Sequence, residues 1–173
     1  MKQHHCLQCG TPMERREIES RIREVCPACG WIFYQNLKVG AGVVVEDEGR
    51  LLLLRRASDP WRGDWNVPAG FVEVDEQPAQ AAVREVFEEC GLQVAITRQL
   101  GAYWYGDDPR GSGISIFFAG EITGGEIKSS DEVDEYAFFG RSEIPANLAK
   151  GGHDQVIIDW RQGKFSSEGR QDG

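Results

Sequence analysis

Basic residues, long apolar runs and histidine are all scarce in this chain. Its 173 residues carry 19 Lys and Arg against 28 Asp and Glu, a formal net charge of −9. The deficit is uneven. Residues 1–38 hold six basic and four acidic side chains, a balance of +2, which leaves thirteen against twenty-four, or −11, for the remainder. A surface of that sign repels long polyanions, so tight binding of nucleic acid by the larger part is not expected. No apolar run approaches the length of a bilayer span, which argues against a membrane partner. Near the start, His4 and His5 stand where a secretory leader would place apolar residues. No internal repeat is visible. With 40% hydrophobic residues, the chain has room for one domain of ordinary size and a small module.

Cysteine is also sparse, but its placement is informative. Four of the five form Cys6-x2-Cys9 and Cys26-x2-Cys29, two knuckles sixteen residues apart. That spacing fits a zinc ribbon held by four thiolates, with Gly10 and Gly30 allowing the tight turns. Two disulfides in a secreted protein are the other reading, and the missing leader speaks against it. A reducing cytoplasmic location with one structural Zn2+ is therefore expected. Residues 1–36 are assigned to the ribbon, with Glu14–Glu24 as a hairpin or arm whose alternating charges face solvent. His4 and His5 are expected to be bystanders, and Cys90 a small core residue.

The densest signal is Gly70–Leu92, which reads G-x5-E-x7-R-E-V-x-E-E-x-G-L. Pro78 suits a first helical position and Gly91 the residue past the helix end. Ala79, Ala82, Val83, Val86 and Cys90 recur at helical spacing and should face a core. Glu85, Glu88 and Glu89 then share the other side. Like charges so placed cost an isolated helix roughly 0.2–0.5 kcal/mol per pair, so a cation is expected among them. Hard oxygen donors favour magnesium or manganese over zinc.

Around this segment the pattern alternates between strands and turns. Val39–Glu46 and Arg50–Arg56 read as strands joined by a turn at Asp47–Gly49. Gln93–Tyr105 reads as one or two strands broken near Gly101. Ile114–Ile122 and Glu135–Phe139 read as strands, Gly124 and Gly125 as a turn, and Asp154–Arg161 as a helix. Residues 164–173 are polar and expected to be a disordered tail.

The stretch from Gly70 to Leu92 resembles the Nudix box at each of its nine defining positions. Trp65–Glu73 resembles the segment leading into that box. Asp75 departs from the pattern, standing where the family usually has glycine; Asp tolerates left-handed backbone better than most residues. The resemblance implies an α/β fold, a Nudix α/β/α sandwich with a mixed sheet over residues 37–163. It also implies metal-dependent hydrolysis of a nucleoside diphosphate linked to another moiety. Glu88 and Glu89, then Glu85, are the expected Mg2+ or Mn2+ ligands, together with the carbonyl of Gly70. Arg84 is expected to orient Glu76 or Glu85. The general base is sought among Asp131, Glu132 and Glu135, with Glu132 favoured.

A ribbon ahead of such a domain resembles two groups. NADH pyrophosphatases carry an S-Q-P-W-P-F-P-x-S motif after the box, and Gln99–Gly113 lacks it. The other group includes enzymes acting on ADP-ribose and FAD, and the join CPACGWIFYQN looks like that group. ADP-ribose or FAD is the expected substrate. NADH or dinucleoside polyphosphates, or a non-catalytic nucleotide sensor, are the alternatives. Tyr103, Trp104 and Tyr105 are candidates to stack on a ring, and Arg55 or Arg56 to meet a phosphate. The ribbon could act as a folding brace or build a homodimer interface.

Overall fold

The computed structural model describes residues 4–128 and 130–166. The chain divides into two compact units, residues 1–36 and 37–173.

In the first unit, β1 (Glu14–Ile18) and β2 (Arg21–Val25) form an antiparallel hairpin, and β3 (Ile32–Phe33) pairs with β2. Its core is small: Cys6, Met13 and Cys26, with Trp31 packed against them. The hairpin lies where the alternating Arg and Glu residues placed an exposed arm, and β1 is exposed along nearly its whole length.

The second unit is built on a sheet whose main path runs β10-β5-β4-β9-β8. These strands are β4 (Lys38–Asp47), β5 (Arg50–Arg56), β8 (Leu92–Tyr105), β9 (Gly113–Gly125) and β10 (Val133–Phe139). Two short strands, β6 (Trp65–Asn66) and β7 (Ala69–Phe71), pair with β5 and β4. The sheet is mixed, since β4 and β9 run parallel while β8 is antiparallel to β9 and β10 to β5.

Two helices, α1 (Pro78–Cys90) and α2 (His153–Arg161), cover separate cores. Successive strand residues point to opposite faces. Val43, Val45, Leu52 and Leu54 accordingly pack with Ala81, Ala82 and Val86 of α1. Val44, Leu51 and Leu53 pack with Val156, Ile157 and Trp160 of α2. Because both faces are covered, Leu51–Leu54 is a continuous apolar run. This is the expected α/β/α sandwich.

Helix α1 starts and stops for local reasons. Pro78 occupies its first turn, and Gln77 and Gln80 form a reciprocal capping box in which the Gln77 N–H donates to Gln80 Oε1 at 2.9 Å. Gly91 ends it with φ +76°, where its N–H returns to the Phe87 carbonyl. Ala79 and Val83 are partly buried against the core that holds Ala82, Val86 and Cys90, and Ala81 joins them.

Four expectations differ in detail. Strand β8 is not broken near Gly101; it absorbs its irregularity in three register shifts, one of them between Gln99 and Gly101. Gly124 and Gly125 lie within β9, paired with Gln93 and Leu92, because β8 begins directly after α1 and meets them there. At the far end, Lys164–Ser166 follow α2 as a turn, and Phe165 packs against the α2 core. The remainder of the expected tail, residues 167–173, lies outside the described residues. Asp75 adopts no left-handed conformation, so its departure from glycine needs no backbone accommodation.

Candidate active site

Each cysteine knuckle is a tight turn in which a backbone N–H points at sulfur: Gln8 at Cys6 Sγ (3.4 Å) and Cys29 at Cys26 Sγ (3.5 Å). The four Sγ atoms lie within 4.8 Å of one another. Cys6–Cys29, Cys9–Cys26 and Cys9–Cys29 are 3.6, 3.5 and 3.7 Å apart. A tetrahedron with zinc–sulfur bonds of about 2.3 Å has edges of roughly 3.8 Å, so the four sulfurs fit that ion. These separations are far longer than a disulfide bond of about 2.05 Å. His4 turns to Glu24 (2.7 Å) rather than to the sulfurs.

The main cleft of the second unit encloses about 320 Å³. One wall is acidic, formed by Glu85, Glu88 and Glu89 from α1, Glu73 from the loop before it, and Glu132 from the segment entering β10. The same cleft is lined by Arg56, Tyr105, Asp108, Arg110 and His153, with Trp61 and Phe71 among the aromatic contributors.

The three helix carboxylates do not share one environment. Glu88 is exposed, Glu85 half-buried, and Glu89 only 6% exposed. Helical spacing placed all three on a common side; the approach of β7 seals Glu89 against the Ala69 N–H, which donates to it at 2.9 Å. Burial pushes the Glu89 carboxyl up to about 8, Glu85 and Glu132 adding to the rise while the Ala69 N–H and Arg56 oppose it. Burial also raises Glu85, although Arg84 works against it. Glu85 rests on Gly70: a Cβ there would come within 2.1 Å of its carboxyl group. A buried anion beside two others, with a single backbone donor, is a poor resting state unless a cation joins it. The donor set is all oxygen and suits a hard divalent ion.

Arg84 organises this wall. It forms ion pairs with Glu76 (2.5 Å), Glu85 (2.7 Å) and Glu88 (2.9 Å), and also donates to the Phe71 carbonyl. Glu76 in turn accepts the Glu73 N–H at 3.0 Å. The Arg84 hydrogen bond holds the Glu76 carboxyl below its usual range, and Glu76 and Glu85 hold the guanidinium above its own.

Of the later acidic residues, Glu132 lines the cleft, whereas Glu135 is paired with Arg55 at 3.0 Å. That pair takes Arg55 away from the cleft, while Arg56 lines it and donates from Nε to the Pro60 carbonyl. Burial lowers the Arg56 guanidinium below its ordinary value. Among Tyr103, Trp104 and Tyr105, only Tyr105 lines the cleft. Helix α2 covers Tyr103, whose hydroxyl donates to Asp159 Oδ2 at 2.9 Å, and strand alternation turns Trp104 outward, 62% exposed.

Phe71, Asp108, Arg110 and His153 were not singled out from sequence. Asp108 and Arg110 sit in the turn-rich loop between β8 and β9, where composition gives no direction to a side chain. His153 opens α2, and its Nδ1 is sealed from water without a hydrogen-bond partner. Burial pushes this imidazole down to about 3, so it is neutral at physiological pH.

The NUDIX domain family model matches residues 36–160, and the Nudix N-terminal model matches residues 4–35. An ADP-ribose pyrophosphatase of Methanocaldococcus jannaschii is 37% identical over 132 residues, 76% of this chain and 77% of that protein. The NAD-capped RNA hydrolase NudC of Pseudomonas aeruginosa is 32% identical over 155 residues, 89% of this chain but 54% of that protein. A NUDIX hydrolase from Nitrosomonas europaea superposes with a TM-score of 0.80 at 33% identity, covering 94% of this chain and 93% of that one.

Proposed function

The chain belongs to the Nudix hydrolase family, and from that premise we propose that it cleaves the pyrophosphate of ADP-ribose or FAD, releasing AMP and a phosphorylated product. The observation that carries this reading is one cleft of about 320 Å³ that gathers Glu85, Glu88 and Glu89 of α1 together with Arg56. The substrate choice is supported by the ADP-ribose pyrophosphatase relative and by the absence of the NADH-type motif in Gln99–Gly113.

Glu85, Glu88 and Glu89, with the Gly70 carbonyl, would hold Mg2+ or Mn2+. Such an ion supplies charge neutralisation at the phosphoryl oxygens and acidifies a bound water. In our reading Glu132 accepts the proton of the attacking water as its oxygen bonds to phosphorus and the P–O–P bridge breaks. Arg56, which lines the same cleft, would stabilise charge on the departing phosphate. Arg84 acts through others, keeping Glu76, Glu85 and Glu88 in place. Cys6, Cys9, Cys26 and Cys29 would hold Zn2+ as a structural ion.

A substrate panel tests the assignment: FAD, ADP-ribose, NADH and diadenosine polyphosphates, each with magnesium or manganese and followed by chromatography of the products. AMP from ADP-ribose or FAD, ahead of the others, supports it. Preference for NADH overturns the substrate choice and leaves the reaction class standing.

A further inference from the structure

Arg110 does something that the hydrolytic chemistry does not use. Its loop turns back so that its own backbone N–H donates to Asp108 Oδ1 at 2.7 Å, an Asx-type turn. Its guanidinium then closes on the same carboxylate, Nε to Oδ1 at 3.0 Å and Nη2 to Oδ2 at 2.7 Å. The Asp108 side chain is 1% exposed. Burial alone would raise its carboxyl, yet the hydrogen bonds from Arg110 hold it below the usual range. Such a planar, two-point pair fixes a guanidinium far more tightly than a single contact.

The fixed group is placed over aromatic faces. Its central carbon lies 5.2 Å from the Phe71 ring centre and 5.9 Å from that of Trp61, and both rings line the cleft. Trp61 is itself constrained. It takes φ +65°, uncommon for a bulky side chain, its carbonyl accepts the Asp64 N–H, and its ring packs beside Gly151.

Because Asp108 already matches its charge, Arg110 is poorly suited to attract a phosphate. That task falls to Arg56, whose guanidinium also lines the cleft and has no carboxylate within ion-pair distance among the described residues. A charge-matched guanidinium beside two aromatic faces instead offers flat surface and directed N–H donors, which is what a heteroaromatic ring needs.

We propose that Arg110 recognises the flat ring of the substrate, with Trp61 and Phe71 beside it and Asp108 as its positioning residue. The assignment rests on reading this cleft as a site for a nucleotide-linked diphosphate. It divides the two cleft arginines between tasks: Arg56 for the phosphate, Arg110 for the ring.

Calorimetric binding to the full chain with magnesium tests this without requiring turnover, using adenosine, AMP and ribose 5-phosphate as probes. Arg110→Ala is expected to weaken adenosine and AMP by about tenfold while leaving ribose 5-phosphate unchanged. Arg110→Lys should not rescue, since lysine lacks the planar fork. Asp108→Asn should show a smaller loss of the same selectivity, with circular dichroism confirming that each variant is folded. Equal weakening of AMP and ribose 5-phosphate, with adenosine untouched, would make Arg110 a phosphate ligand and overturn the proposal. Wild-type protein that binds neither adenosine nor AMP would overturn it too. Turnover of ADP-ribose and FAD by the same wild-type preparation is read separately, so ring binding without hydrolysis would sink the functional assignment and spare this one.

Discussion

Glu89 is held almost out of water by one backbone donor and two neighbouring carboxylates, so its charge depends on what joins it. With its carboxyl raised from an ordinary 4.5 to about 8, the metal-free protein keeps it protonated at neutral pH. The unfolded chain ionises it near 4.5. Unfolding therefore releases a proton between about 4.5 and about 8, and stability from this group falls as pH rises through that window. His153 has the opposite sign: depressed from 6.5 to about 3, it costs stability as pH falls below 6.5. From 6.5 to 8 His153 drops out, and Glu89→Gln separates the Glu89 contribution from that of Cys9, whose thiol is lowered to about 6 in the first unit. There, magnesium should raise the melting temperature more at the alkaline end, since the ion must displace the Glu89 proton. Differential scanning calorimetry across that interval checks the slope, and Glu89→Gln should flatten it. Arg84 makes a second prediction at this scale. Arg84→Ala frees Glu76, Glu85 and Glu88 together and should weaken metal affinity about 10–100-fold, measurable by manganese titration.

At the scale of elements, the site exists because β7 is pressed between β4 and α1. Gly70 pairs with Ala41 on one side and meets the Glu85 carboxyl on the other. Gly70→Ala should displace Glu85 and lower metal affinity more than it lowers the melting temperature. The strand β5 serves both cores, and Leu53 and Leu54 are buried on opposite faces. Leu53→Ala and Leu54→Ala should each cost about 2–5 kcal/mol in chemical denaturation, despite lying next to each other. This two-sidedness was legible in the sequence as an unbroken apolar run. The helix α1 was legible as well, since its start, stop and core face all carry local signals. What sequence could not give was depth. Helical spacing placed Glu85, Glu88 and Glu89 on one side but not their different burial, which the approach of β7 decides. For Tyr103, Trp104 and Tyr105, the covering by α2 and the outward turn of Trp104 were equally invisible. Phe71, Asp108, Arg110 and His153 reach the cleft from loops or element ends, where no periodicity assigns a direction.

The whole molecule consists of two compact units. Among the described residues the first unit buries Cys6, Met13, Val25 and Cys26, with Trp31 packed against the cluster, too small a core to hold thirty-odd residues folded without a further cross-link. Zinc at the four sulfurs would supply it, and for such domains metal binding and folding are one process. A strong chelator, or Cys26→Ser, should therefore melt the strands of the first unit while residues 37–166 retain their sheet, an outcome amide exchange can resolve by segment. Across the second unit, charge is arranged by function rather than merely in excess. Part of the acidic excess lines the cleft, as Glu73, Glu85, Glu88, Glu89, Asp108 and Glu132, where Arg56 and Arg110 also stand. Among the described residues, no helix is long and apolar enough to cross a membrane.

We propose that a divalent ion on the α1 carboxylates enables cleavage of a nucleotide-linked pyrophosphate in this cleft. It is tested most directly by AMP release from ADP-ribose and FAD as magnesium is titrated, with wild type beside Glu89→Gln. Saturable, magnesium-dependent release is expected of wild type, and loss of release with nucleotide binding retained is expected of Glu89→Gln. Release that persists without a divalent ion, or survives the substitution at full rate, would contradict it.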